Sequence, residues 1–193
     1  MDDGGDGVGI FFVIIIIALA IWFFRHHERV QQRQRQEEQE RVRKRSEAYE
    51  EYDQYVSQKI PASVARSNGE FLRDNPLPYG EDWYGEDVSP LTFYGYRVGK
   101  TRGLRPNERR AIISYVMRAR LTEPLAPSYQ RGWGAPLSFR RREAIVSHID
   151  RLAAQRVTRP GYEVAVSDWE EDSLWAIDAL DEEISKWGRY DFE

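Results

Sequence analysis

The chain is 193 residues long, 41% hydrophobic and 31% charged, with 28 Lys and Arg against 32 Asp and Glu, three His and no Cys. That length suits one modest domain with accessory segments. The missing cysteine excludes disulfide scaffolds, thiolate catalysis, iron–sulfur clusters and cysteine zinc sites, and three histidines leave little for a His-based metal centre.

Residues 1–7 form an acidic tail without Lys or Arg, and Val8 to Phe24 follows without one charged or strongly polar side chain. As a helix this run is at the short end of what a bilayer accepts, and Trp22, Phe23 and Phe24 close it with rings that favour an interface. Cleaved signal peptides open on a positive region, whereas Asp2, Asp3 and Asp6 stand here. The pattern predicts a retained single span, with the membrane as its partner. Lys and Arg cluster only after it, from Arg25 to Arg45, which predicts an inner-membrane protein with its N-terminus outside and its C-terminus in the cytoplasm. His26 and His27 read as flanking residues, since no third ligand is near in sequence.

Residues 25–60 are expected to form a charged helical stalk. Arg29 to Gln58 is rich in Gln, Glu and Arg and lacks Gly and Pro, and Glu37 with Arg41 and Glu40 with Lys44 are favourable i,i+4 pairs. Val42, Tyr49, Tyr52 and Val56 offer one short apolar seam, so a solvated stalk and a weak self-associating coil both remain open. Residues 61–93 make a connector broken by Asn68-Gly69, Asn75-Pro76, Pro78 and Gly85. Phe71, Tyr79, Trp83 and Tyr84 are too aromatic for a free linker. The connector is expected to wrap the next domain, with a short helix around Ala62 to Leu72. The run Asn75 to Tyr79 matches a polyproline ligand only weakly.

Residues 94–193 are expected to form a compact helical domain of about three helices. The first starts near Pro106, suited to the first helical position, with Ile112, Ile113, Val116 and Met117 on one face. Ser138 is the expected N-cap of the second, which buries Ile145, Ile149, Leu152 and Ala153. The third starts between Gly161 and Asp168 and runs to about Trp187, with the stripe Val166, Trp169, Ile177, Leu180, Ile184 and Trp187. The fold class is thus all-α: an N-terminal span, a polar stalk and a small C-terminal bundle.

Tyr96-Arg97-Val98-Gly99-Lys100, Gly103-Leu104, Glu108-Arg109-Arg110, Trp133-Gly134-Ala135-Pro136 with Ser138 and Arg141, and Trp169 with Asp172 together resemble an uncharacterised family of small bacterial helical domains. Its pattern runs Y-x-V-G-K, G-L-S, E-R-R, W-G-x-P-x-S and W-x-x-D-L. The resemblance covers about residues 94 to 176 and implies a fold unit rather than an activity. Arg105 stands where the pattern has a Ser helix cap, and Ser173 where it has Leu.

Gly99-Lys100-Thr101 echoes the end of a phosphate-binding P-loop, but position 94, where that motif needs its first Gly, is Tyr94. A tight turn with Gly99 and Gly103 is the simpler account. No nucleophile–base pair is visible, and no catalytic residue, metal, cofactor or small-molecule substrate is expected. His148, between Ile145 and Leu152 on its helix, reads as a half-buried structural residue, and Trp133 as a packing corner.

The charge layout is the informative feature. The net −4 conceals +9 over residues 101–160 and −9 over residues 161–193. Arg105, Arg109 and Arg110 crowd the start of one helix and Arg140, Arg141 and Arg142 the start of the next, against the macrodipole. Something negative must lie close: the acidic third helix, with Glu170, Glu171, Asp172, Asp178, Asp181, Glu182 and Glu183, another protein, or an external anion. The expected function is an anchored interaction or scaffold protein presenting a helical domain to a protein partner or to itself. The rival is a nucleic-acid-binding accessory using the arginines, which the acidic segment would oppose unless it faced away.

Overall fold

The computed structural model describes the backbone of residues 6–77 and 79–187 and the side chains of residues 22–77 and 79–187. Those residues form seven helices and no strand: α1 Asp6–Val56, α2 Ala62–Asp74, α3 Pro90–Phe93, α4 Pro106–Arg118, α5 Pro127–Gly132, α6 Phe139–Ala154 and α7 Glu163–Trp187. The protein is all-α. Most of the acidic N-terminal tail, the final acidic residues and Pro78 of the proline-rich run lie outside the described residues.

The expected membrane span and the inner-membrane placement built on it are overturned. Among the described residues no helix is long and apolar enough to cross a membrane. The apolar run is the opening part of one long helix that continues to Val56 through Gln-, Glu- and Arg-rich sequence. The side chains of residues 8–21 lie outside the description.

The chain divides into two compact units, residues 1–48 and 49–193. In the first, α1 is held along its surface by short-range pairs, Glu40 with Lys44 at 2.8 Å and Arg43 with Glu47 at 3.5 Å. Trp22 stacks on His26 one turn later, with ring centroids 5.4 Å apart, and Gln31 bonds His27 at 3.0 Å. The two histidines are therefore occupied by helix-surface neighbours.

The second unit begins inside α1, at Tyr49, and takes in the whole connector. Tyr52 and Val56 are buried and Val42 and Tyr49 exposed, so the apolar seam of the stalk is divided. Tyr52 and Tyr55 pack on Trp187 at 6.0 and 5.2 Å between ring centroids, and the Tyr52 hydroxyl donates to Pro136 O at 3.1 Å. The connector's aromatics divide: Phe71, Tyr84 and Phe93 form a mutual cluster at 5.6 to 6.0 Å, whereas Tyr79 and Trp83 are exposed. The turn at Gly95, φ +81°, packs so closely on α2 that a Cβ there would lie 2.4 Å from Ser67 O, a place only glycine fits.

α4, α6 and α7 carry most of the core. α4 starts with Pro106 at its first position, and Glu108 reaches back to accept from the Arg105 backbone N–H at 3.2 Å. Arg105 has no side-chain acceptor to return the bond, so only half of a capping box exists. Ser138 Oγ accepts from Arg141 N at 3.1 Å and starts α6. Contacts between α6 and α7 fall on Asp150 with Ser173 and on Arg142 with Asp181; as one number rises the other falls, so the two helices are antiparallel. Their interface includes Ile145, Ile149, Ser173, Ala176 and Leu180, all buried. Ile177 sits at the margin, because the small side chains of Ser173 and Ala176 let α6 close in.

Leu180 is fully buried and Glu171 exposed. Leu180→Ala removes about 2 to 5 kcal/mol, a drop of roughly 5 to 15 °C in Tm for a unit of this size. Glu171→Ala leaves Tm within about 1 °C, since exposed substitutions away from special contacts cost little. Thermal unfolding followed by circular dichroism measures both.

Candidate functional site

Tyr96, Gly99, Gly103, Arg109, Arg110, Asp168 and Asp172 meet at one buried junction between α4 and α7. Arg109, 2% exposed, donates from Nε to Asp172 Oδ2 at 2.6 Å, lies 3.2 Å from Asp168 Oδ1, and gives Nη1 to Leu104 O at 2.9 Å. Asp172, with no exposure at all, also accepts from the Tyr96 hydroxyl at 2.8 Å, and Arg110 Nε approaches it to 3.8 Å. Gly99, at φ +94°, turns its N–H onto Asp168 Oδ2 at 2.9 Å, and Gly103 N closes the turn on Gly99 O at 3.0 Å. The Gly-Lys-Thr run is thus a turn that serves a carboxylate. A buried carboxylate survives only if its lone pairs are met by donors and its charge by a cation, and here both conditions hold. Burial and the Asp172 carboxylate push the Tyr96 hydroxyl far above the usual phenol range, so it acts as a fixed hydrogen-bond donor.

Arg141, 1% exposed, is held without any carboxylate. Its Nη1 donates to Val116 O at 2.8 Å and Ala119 O at 3.0 Å, its Nη2 to Gly134 O at 2.6 Å, and its Nε to Trp133 O and Gly134 O at 3.2 Å. Val116 and Ala119 lie at the C-terminal end of α4, where unsatisfied carbonyls carry the negative end of the helix dipole. Burial lowers the Arg141 pKa to about 10, still far enough above neutrality to keep the charge. Trp133 is the packing corner of this cage, with its carbonyl on Arg141 and its ring 5.8 Å from that of His148.

The other flagged side chains separate into engaged and exposed groups. Arg142 reaches Asp181 at 2.9 Å and Ile177 O at 3.4 Å. Arg110 lies 5.5 Å over the Trp175 ring. Arg140 is exposed, with Nε on Gly132 O at 3.1 Å, and Arg105 is exposed beside Glu108 at 3.5 Å. Glu170, Glu171, Asp178 and Glu182 point outward from α7, whereas Glu183 is half-buried.

Glu183 belongs to the feature that sequence reasoning did not anticipate. A groove of about 600 Å³ lies among the end of α1, α4 and α7, lined by Tyr55, Ser114, Trp175, Glu182, Glu183 and Trp187. Its walls already attract cations: Lys186 Nζ sits 4.7 Å from the Trp187 ring centroid and 5.8 Å from that of Tyr55. Glu183 Oε2 is buried with no hydrogen-bond partner among the described residues. Burial, with some help from neighbouring Glu182, raises its pKa, against the opposing pull of Arg118. In the sequence, Glu183 is one acid in a run of three, and only the packing of Tyr55 against Trp187 sets it apart.

Among the described residues no cluster of three His, Asp or Glu side chains is placed to hold a metal ion. No protein family, curated protein or solved structure matches the chain.

Asp172→Ala leaves buried Arg109 with the partly exposed Asp168 as its remaining carboxylate and strands the Tyr96 hydroxyl, which costs up to about 3 to 5 kcal/mol. The double variant Arg109→Leu, Asp172→Leu recovers most of that loss, and urea titration of the two single variants and the double measures the coupling. His148 supplies a pH test. Burial first, then Arg151, lowers its pKa from 6.5 to about 4. Between those values the unfolded chain binds a proton that the folded one refuses, so stability falls as pH falls from 6.5 towards 4. His148→Asn flattens that part of the stability profile, as Tm measured every half pH unit reports.

Proposed function

We propose that residues 49–193 form a protein-interaction module that draws a basic side chain of a partner protein into the groove between α1, α4 and α7. The observation that carries this reading is the unpartnered, buried Glu183 Oε2 in a groove walled by Tyr55, Trp175 and Trp187. Aromatic faces attract cations through their quadrupole, and a carboxylate oxygen lacking a donor is the natural end point for a guanidinium or ammonium group. The partner is therefore a protein segment bearing Arg or Lys beside apolar residues, and exposed Glu182 adds favourable steering charge. The charge segregation supports a protein partner over nucleic acid. Arg109, Arg110, Arg141 and Arg142 spend their donors or charge on internal contacts, which leaves two of the six flagged arginines, Arg105 and Arg140, at the surface. The resemblance of residues 94 to 176 to small bacterial helical domains fits this reading as a fold unit, with scaffolding as its task.

The test uses an acetylated peptide of alternating Arg and Leu, titrated by calorimetry. It binds the wild type and loses at least about tenfold in affinity to Glu183→Gln, the loss of one charge-assisted bond. The same substitution raises Tm at pH 7: a carboxyl whose folded pKa lies above its unfolded value of 4.5 destabilises the fold when ionised. The gain shrinks as pH falls into the ordinary carboxylate range, where the wild-type side chain is already neutral. Equal peptide affinity in the two proteins refutes the groove, and duplex DNA binding that weakens steeply with salt supports the nucleic-acid alternative instead.

A further inference from the structure

On another side of α7 a cleft of about 300 Å³ opens between the Tyr96–Val98 segment, α6 and α7. Its lining is unusual in what it leaves unsatisfied. Trp169 is 7% exposed and its indole Nε1–H has no acceptor among the described residues. Arg97, also on the lining, gives Nη2 to Glu70 at 2.6 Å while its Nε is buried and unpaired. Two residues that line one small cleft thus each carry a buried donor without an acceptor, and native proteins leave few such groups unexplained.

The rest of the lining has the same polarity. His148 Nδ1 lies 2.9 Å from Arg151 Nη2; an arginine can only donate, so the neutral ring carries its proton on Nε2 and is a further donor. Arg102 is exposed at the cleft and adds a full positive charge, and Arg156 lies 5.9 Å over the Trp169 ring. The carboxylates nearby are spent: Glu70 on Arg97 and Asp172 on Arg109 and the Tyr96 hydroxyl. Leu91, Val98 and Leu152 supply an apolar wall. Donors and positive charge at one place, with hydrocarbon beside them, match a small ligand with an acceptor-rich head and a short apolar body.

We propose that this cleft binds a small organic oxyanion, a carboxylate or phosphate monoester, with its head on Arg97 Nε, Arg102 and the Trp169 indole N–H and its apolar body against Leu91, Val98 and Leu152. The volume limits the body to a few carbons or one ring. The site is independent of the aromatic groove and shares no lining residue with it.

Nitrogen-15 NMR of the whole chain tests this directly. The protein has six tryptophans, and the indole signal missing from Trp169→Phe identifies the reporter. Hexanoate, phenyl phosphate and inorganic phosphate are titrated separately, with hexanol as the neutral control. The expected result is a saturable downfield shift of the Trp169 indole proton with hexanoate or phenyl phosphate at a Kd of about 1 mM or below, and none with hexanol. Whichever of those two binds more tightly assigns the head group, and a response to inorganic phosphate alone removes the apolar body from the proposal. Arg97→Met and Arg102→Met each weaken binding by about tenfold, as expected for loss of a charge-assisted contact. Arg102 is exposed, so its variant keeps the wild-type spectrum even if Arg97→Met loosens α2. No shift with any anion up to about ten times that Kd, an equal response to hexanol, or undiminished binding by Arg102→Met overturns the proposal.

Discussion

The Arg109–Asp172 pair is the constraint around which the C-terminal unit is arranged. It joins the second turn of α4 to the middle of α7, and each partner recruits more structure: Asp172 fixes the Tyr96 hydroxyl, and Arg109 fixes Leu104 O and draws in Asp168, which in turn holds the Gly99 turn. A buried ion pair contributes little net stability against an apolar replacement, but one broken by half is severely destabilising. Its value here lies in register. Sliding α4 along α7 by a turn would carry Arg109 away from both Asp168 and Asp172, whereas an apolar stripe carries no such directional requirement.

The opposed charges of residues 101–160 and 161–193 acquire a physical meaning in this light. They are partly an internal wiring scheme, with Arg109 on Asp168 and Asp172 and Arg142 on Asp181. What remains outward on α7 is mostly acidic, with Lys186 at its end, and Arg97 and Arg102 stand at the cleft beside Trp169. The two proposed sites draw on this segregation from opposite sides, one for cations among aromatic rings and one for anions beside aliphatic carbon.

Much of the fold was legible in the sequence because it is written in local rules. Pro106 and Ser138 mark the starts of α4 and α6, and Ile112, Ile113, Val116 and Met117 share one buried face as helical spacing requires. The starting point of the compact unit was not legible: Tyr52 and Tyr55 look like stalk residues, and both pack on Trp187, more than 130 positions away in the chain. Arg141 was equally opaque. Its position against the dipole of its own helix calls for a negative partner, an acidic side chain or an anion, while the partners are backbone carbonyls that no sequence displays. The apolar run before Trp22 predicts a span from composition alone, yet no described helix is long and apolar enough to cross a membrane, while the polar stalk expected after it does form part of α1. Neither concave site announces itself either, since Glu183, Trp169 and Arg97 become distinctive only through what packing denies them.

The carbonyl cage of Arg141 has a consequence for how the sequence can drift. A side-chain ion pair can be lost through a change at either end, so it presents two targets to mutation and invites compensating exchange between them. Arg141 presents one target. Its acceptors belong to the main chain at Val116, Ala119, Trp133 and Gly134, and a changed side chain at Val116 or Ala119 still leaves a carbonyl, whereas Gly134, at φ +78°, is itself restricted. The α4 end of the tie is therefore insulated from substitution on the receiving side. Side chains around it can change while the arginine itself has no substitute.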